Sequence, residues 1–164
     1  MRITKYIIFL FILFVACGKS EKPQPRTNFT KNTGFGDTLR NINKVLIQKD
    51  KERINAYAER MSYDMKESET GLRYRLIEKL GQSPITDNDV VTINYRVELL
   101  DGTVAYEGER KLKTGKTDSE AGLQEGLKML GKGDSAVFIA PPYLAKGLLG
   151  DFEKIPARSI LVYK

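Results

Sequence analysis

GLQEGLKMLGKGDSAVFIAPPYLAKGLLGDFEKIPARSILVY, residues 122–163, decides how the rest of the chain is read. Leu123, Leu127 and Leu130 recur at helical spacing, so the stretch opens with a short amphipathic helix. Gly131 to Gly133 end it. Ala136 to Ala140 form an apolar strand, a long loop rich in Gly and Pro follows, and Ser159 to Tyr163 form a closing strand.

Upstream, residues 69–109 read ETGLRYRLIEKLGQSPITDNDVVTINYRVELLDGTVAYEGE. A strand opens at Thr70 to Tyr74, Pro84 to Asn88 turn the chain, and Val90 to Leu100 form a long strand. Val91, Ile93, Tyr95, Val97 and Leu99 share one face of it. Asp101-Gly102 is a tight hairpin signal, and Thr103 to Tyr106 return as the next strand.

Before the strands, Asp37 or Thr38 caps a helix that continues to Glu67. Leu39, Ile42 and Leu46 make an apolar stripe, which Ile54, Tyr57, Met61 and Met65 resume after the charged run Lys49 to Arg53. So long a helix with so narrow a stripe cannot stand alone. It lies on its own domain or on a second copy. Gly18 to Gly36 hold Pro, Gly and polar residues with too little apolar surface to fold, and read as a tether. The first residues carry Arg2 and Lys5, then an apolar run from Tyr6 to Ala16 about half as long as the ~20 residues a membrane span needs. That is the anatomy of a signal peptide. It ends at Val15-Ala16-Cys17, which resembles a bacterial lipobox whose Cys becomes the lipidated first residue, with Phe14 replacing the usual Leu. Loss of residues 1–16 removes two positive charges from the +6 of the whole chain.

Of the 164 residues, 41% are apolar and 29% charged, ordinary for a globular protein. Cationic and anionic side chains alternate instead of forming a block, which argues against nucleic acid. The chain has no His and one Cys. His metal sites, Ser-His triads, multi-Cys zinc sites and internal disulfides are therefore excluded, and no cofactor is implied.

The order T-G-L-x-Y, D-x-V-x-I-x-Y, L-x-D-G-T-V, G-L-x-E-G-L, G-D-x-A-V-F-I-A-P-P and I-L-V-Y resembles the FKBP-type peptidyl-prolyl isomerases over Thr70 to Lys164. With the lipobox, the helix and the ending KIPAR, the chain most resembles the FKBP-type lipoproteins of the Bacteroidetes, a group with a gliding-motility-associated member. The resemblance implies an α+β fold, a twisted antiparallel sheet wrapped around one short helix and preceded by a long helix. The expected divisions are 1–16 signal peptide, 17–36 lipidated Cys17 and tether, 37–68 helix and 69–164 FKBP-like domain. It implies a proline pocket lined by Tyr95, Tyr106, Leu123, Lys146, Ile155 and Tyr163. Leu123 stands where many members have a Trp, and Lys146 where they have an aromatic ring. Tyr106 and Glu107 match the family's Phe-Asp pair if one residue is inserted after Gly102; otherwise Ala105 and Tyr106 do. Ser119 and Glu120 replace an apolar pair, and Arg110 an aromatic. Relatives end a few residues beyond the position of Lys164. The implied partners are proline-containing polypeptides, a bacterial envelope membrane through Cys17, and a second copy through 37–68. The implied activity is prolyl isomerisation of exported proteins, with a binding module that has lost catalysis as the other reading.

Overall fold

The computed structural model describes residues 33–80, 83–116 and 119–164. The signal-peptide residues, Cys17 and most of the tether lie outside the described residues. The chain divides into compact units at Met1–Asp37 and Thr38–Lys164; of the first, only the opening turn of a helix is described. That helix, α1, runs from Thr33 to Arg60. Strands β1 (Lys66–Glu67), β2 (Arg73–Glu78), β3 (Val90–Leu99) and β4 (Val104–Lys113) follow. Next come helix α2 (Ala121–Leu127), β5 (Ser135–Ala140), a 3-10 turn at Pro142–Leu144 and β6 (Leu161–Tyr163). The six strands form one sheet in the order β1-β2-β5-β6-β3-β4, every neighbouring pair antiparallel. This is the expected α+β architecture.

Period-2 alternation sorts the sheet's side chains into two cores. Phe138, Leu161 and Tyr163 join Leu72, Val97, Leu112, Leu123 and Leu127 on the α2 side. Val137, Ile139, Ile160 and Val162 face the other way, against Ile54 and Tyr57 of α1. Gly126 is where α2 meets the sheet most closely: a Cβ there would stand 2.8 Å from the Phe138 ring.

Three elements differ most in extent from expectation. Helix α1 begins four residues before Asp37, within the segment read as tether, and ends at Arg60 instead of near Glu67. Its stop is a Schellman turn built without glycine: Tyr63 N–H donates to Ala58 O and Ser62 N–H to Glu59 O, with Ser62 at φ 53°. With no Gly or Asn to mark it, the stop carries no compositional signal. Tyr63 and Met65 pack on the second core from beyond the helix. The strand that opens the sheet is centred on Arg73–Glu78 instead of Thr70–Tyr74. Strand β4 runs to Lys113, far past Tyr106, because its later residues pair with β3 as far as Val90 while most of their side chains face solvent.

Candidate functional site

Antiparallel pairing puts opposed residues on one face, and it builds the site's floor. Tyr163 of β6 lies opposite Val97 of β3, and Val97 opposite Tyr106 of β4. One step along, Tyr95 faces Gly108, and one further Ile93 faces Arg110. The register shifts between Val97 and Glu98, and the extra residue in β4 turns Ala105 into the core and leaves Tyr106 on the inner face. Tyr95, Val97, Tyr106, Arg110 and Tyr163 thereby line a cavity of about 280 Å³, completed by Glu120 and by Lys146, Asp151, Glu153 and Ile155 of the long loop. That is about nine times the ~30 Å³ share of one liquid water, and just under the range of sites that take drug-sized molecules.

The loop is held in place by its own hydrogen bonds. Gly147 N–H donates to Pro142 O at 2.8 Å and Arg158 N–H to Gly147 O at 3.1 Å, fixing the stretch that carries Lys146. Asp151 Oδ1 accepts the backbone N–H groups of Glu153, Lys154 and Ile155 at 3.0, 3.0 and 2.8 Å. The bend before it requires Gly150, at φ +72°, where a Cβ would stand 2.1 Å from Ile155 O. Across the cavity, the Tyr106 hydroxyl donates to Asp151 Oδ2 at 2.5 Å. That bond holds the Asp151 carboxyl far below its usual range and, with burial and the carboxylate charge, raises the Tyr106 phenol well above its own. Lys154 Nζ lies 5.1 Å from the centre of the Tyr106 ring.

The inner end is polar. Glu120 precedes α2, which Gln124 ties to the end of β4: its Oε1 accepts Gly115 N–H at 2.9 Å and its Nε2 donates to Ser119 Oγ at 2.6 Å. The Glu120 carboxylate is 7% exposed, with Lys146 Nζ 2.6 Å from Oε1 and Arg110 Nη1 3.7 Å from Oε2. Tyr163 is 3% exposed. Burial, then the Glu120 charge, raise its phenol far above the ordinary value, so it keeps its proton.

Of the six pocket residues expected from sequence, Tyr95, Tyr106, Lys146, Ile155 and Tyr163 meet in this cavity. Leu123 does not line it. It is buried in the core and borders, with Tyr95 and Tyr163, a wider groove of about 930 Å³ between α2, β3 and β5. Ser119 is bonded to Gln124 instead of facing the cavity. Val97, Asp151 and Glu153 also line the site without having been singled out. Val97 was legible as the next inward residue after Tyr95, whereas nothing in the string Gly150-Asp151-Phe152-Glu153 marks a carboxylate that folds its own loop.

A sequence model of the FKBP-type peptidyl-prolyl cis-trans isomerases matches residues 81–164. The chain belongs to that family. It is 34% identical over 140 residues to the FkpA isomerase of Buchnera aphidicola from Schizaphis graminum, covering 76% of this chain and 53% of the relative. It is 36% identical over 103 residues to FkpA of Escherichia coli K12, covering 60% and 37%. The chain thus spans about half, or less, of these curated relatives. The crystal structure of Escherichia coli FkpA superposes with a TM-score of 0.62 at 22% identity, over 99% of this chain and 79% of that one. AtFKBP13 superposes at 0.56 with 21% identity, over 61% and 93%. Both likenesses concern the fold.

Proposed function

We propose that the protein is a membrane-anchored peptidyl-prolyl cis-trans isomerase for exported polypeptides, resembling the FKBP-type lipoproteins of the Bacteroidetes. One observation carries the reading: the cavity floored by Tyr95, Val97, Tyr106 and Tyr163 and walled by Ile155. Rotation about an X-Pro bond crosses a barrier of roughly 18–20 kcal/mol, because twisting the amide removes its resonance. No nucleophile, metal or cofactor is needed. A shaped, water-poor pocket that grips the proline ring favours the twisted amide, whose carbonyl is less polar than that of the planar form. Uncatalysed exchange takes tens of seconds or more, slow enough to hold back the folding of exported chains.

The lipobox reading of Cys17 supports an anchor at the envelope, since multiple acyl chains hold a protein where one is marginal. The exposed apolar residues on the first half of α1, Leu39, Ile42, Val45 and Ile47, support pairing with a second copy. The Glu120–Lys146 ion pair supports a second reading, a proline-binding module with little catalysis, because charge at the inner end solvates the planar amide as well as the twisted one.

A refolding substrate limited by a trans-to-cis proline step separates the two. Micromolar protein shortens the slow phase several-fold if it is an isomerase. An unchanged phase together with measurable affinity for a proline tetrapeptide assigns it as a binding module. Neither binding nor acceleration refutes both.

A further inference from the structure

Two polar atoms in the cavity have no hydrogen-bond partner among the described residues: the Tyr163 hydroxyl and Glu120 Oε2, both buried. Buried polar groups are nearly always hydrogen-bonded, because desolvation without a partner is destabilising. The rest of the site follows that rule. Tyr106 donates to Asp151, Asp151 also accepts three N–H groups, and Glu120 Oε1 holds Lys146. The two exceptions belong to residues that line the same cavity, and they are chemically complementary. The protonated phenol has an unspent donor. The carboxylate oxygen is an acceptor with Arg110 Nη1 at 3.7 Å, outside hydrogen-bond reach.

We propose that the Tyr163 hydroxyl and Glu120 Oε2 bind the main chain of the polypeptide that enters the cavity, Tyr163 donating to a carbonyl beside the proline and Glu120 accepting a flanking amide N–H. This deepens the prolyl-peptide reading and rests on it. It makes the pair a specificity device: the ligand class is a proline segment with a free flanking N–H, favoured over proline mimics and N-alkylated chains that offer none. The two oxygens are screened from water in the free protein, and Lys146, with 35% of its side chain exposed, is the arm that can swing toward solvent as the chain enters.

The test turns on opposite signs. Tyr163→Phe deletes an unpartnered buried oxygen and keeps the ring, so the variant should melt a few degrees higher than the wild type. Its affinity for a blocked Ala-Leu-Pro-Phe tetrapeptide, by calorimetry, should fall about tenfold. Glu120→Gln should weaken the same peptide, yet barely change binding of an analogue methylated on both amide nitrogens flanking the proline. Tyr143→Phe, which removes a hydroxyl bonded at 3.0 Å to Thr70 O, serves as the control: lower melting, unchanged affinity. A more stable Tyr163→Phe protein with full affinity would mean that the hydroxyl meets only trapped water, overturning this inference while wild-type binding keeps the prolyl-peptide reading intact. A less stable one would place the hydroxyl in an internal bond and overturn it as well. Failure of the wild type to bind any proline peptide would remove both.

Discussion

Asp151 does two things with one carboxylate: one oxygen folds the loop, and the other receives the Tyr106 hydroxyl. Its folded-state pKa is depressed, chiefly by the Tyr106 bond. A depressed carboxylate contributes stability that is complete above the unfolded value, about 4, and is lost as pH falls through the lower folded value. Asp151→Asn should therefore be less stable than wild type at pH 7, and the gap between their urea midpoints should narrow steadily as pH falls from about 4 to about 2. A gap that stays constant over that range would assign the contribution to shape instead of charge. At this scale the sequence was legible where alternation decides and silent where contact decides. Tyr95, Val97 and Tyr163 follow from inward positions on strands. The Lys146–Glu120 pair joins residues far apart along the chain, and such a pairing has no local signature. For the same reason Arg110 and Lys146, read only as departures from an aromatic lining, turn out to flank one carboxylate, that of Glu120.

Between elements, the decisive contact is again ionic. Asp50 of α1, in the charged run Lys49 to Arg53 that interrupts the apolar stripe, is 6% exposed and accepts Arg158 Nη2 at 2.8 Å. Arg158 belongs to the loop that walls the cavity, so the helix and the cavity loop share a clamp. Removing either partner strands the other, and the penalty depends on what is left behind. Arg158→Met leaves a carboxylate whose side chain is 8% exposed, whereas Asp50→Asn leaves a guanidinium with 33% of its side chain exposed. Losing one partner of a fully buried pair costs about 3–5 kcal/mol. Arg158→Met should approach the lower end of that range, and Asp50→Asn should cost about 1 kcal/mol, because a wet charge rehydrates. Equal losses in urea titrations would reject the argument. The existence and order of the longer elements were legible because each carries its own period and turn residues, whereas β1, two residues at the end of the stretch read as helix, was not. The ends of α1 and β4 were not: one stops at a serine in a glycine's conformation, and the other continues through Glu107 to Lys111 by backbone pairing with β3, without an apolar alternation to mark it.

Across the whole molecule, α1 has two characters. Its second half covers the sheet with Ile54 and Tyr57, as an amphipathic helix must. Its first half leaves Leu39, Ile42, Val45 and Ile47 at 46%, 48%, 54% and 50% exposed. Leu39, Ile42 and the half-buried Leu46 repeat at the three-and-four spacing of a two-helix seam. At ~1.5 Å per residue the first half of α1 extends about 20 Å, so helix-on-helix contact alone falls short of the ~800 Å² per partner of a standard stable interface. Pairing through it should then be concentration-dependent: sedimentation should find monomer at low micromolar protein and dimer at tens to hundreds of micromolar. Leu39→Glu with Ile42→Glu should abolish the dimer at every concentration. Because those side chains touch neither sheet core, the double variant should keep wild-type melting at low concentration and wild-type affinity for a proline peptide. A monomer throughout the wild-type series would remove the second copy as the partner of this helix, and a double variant that unfolds would mean that the face already packs within one chain.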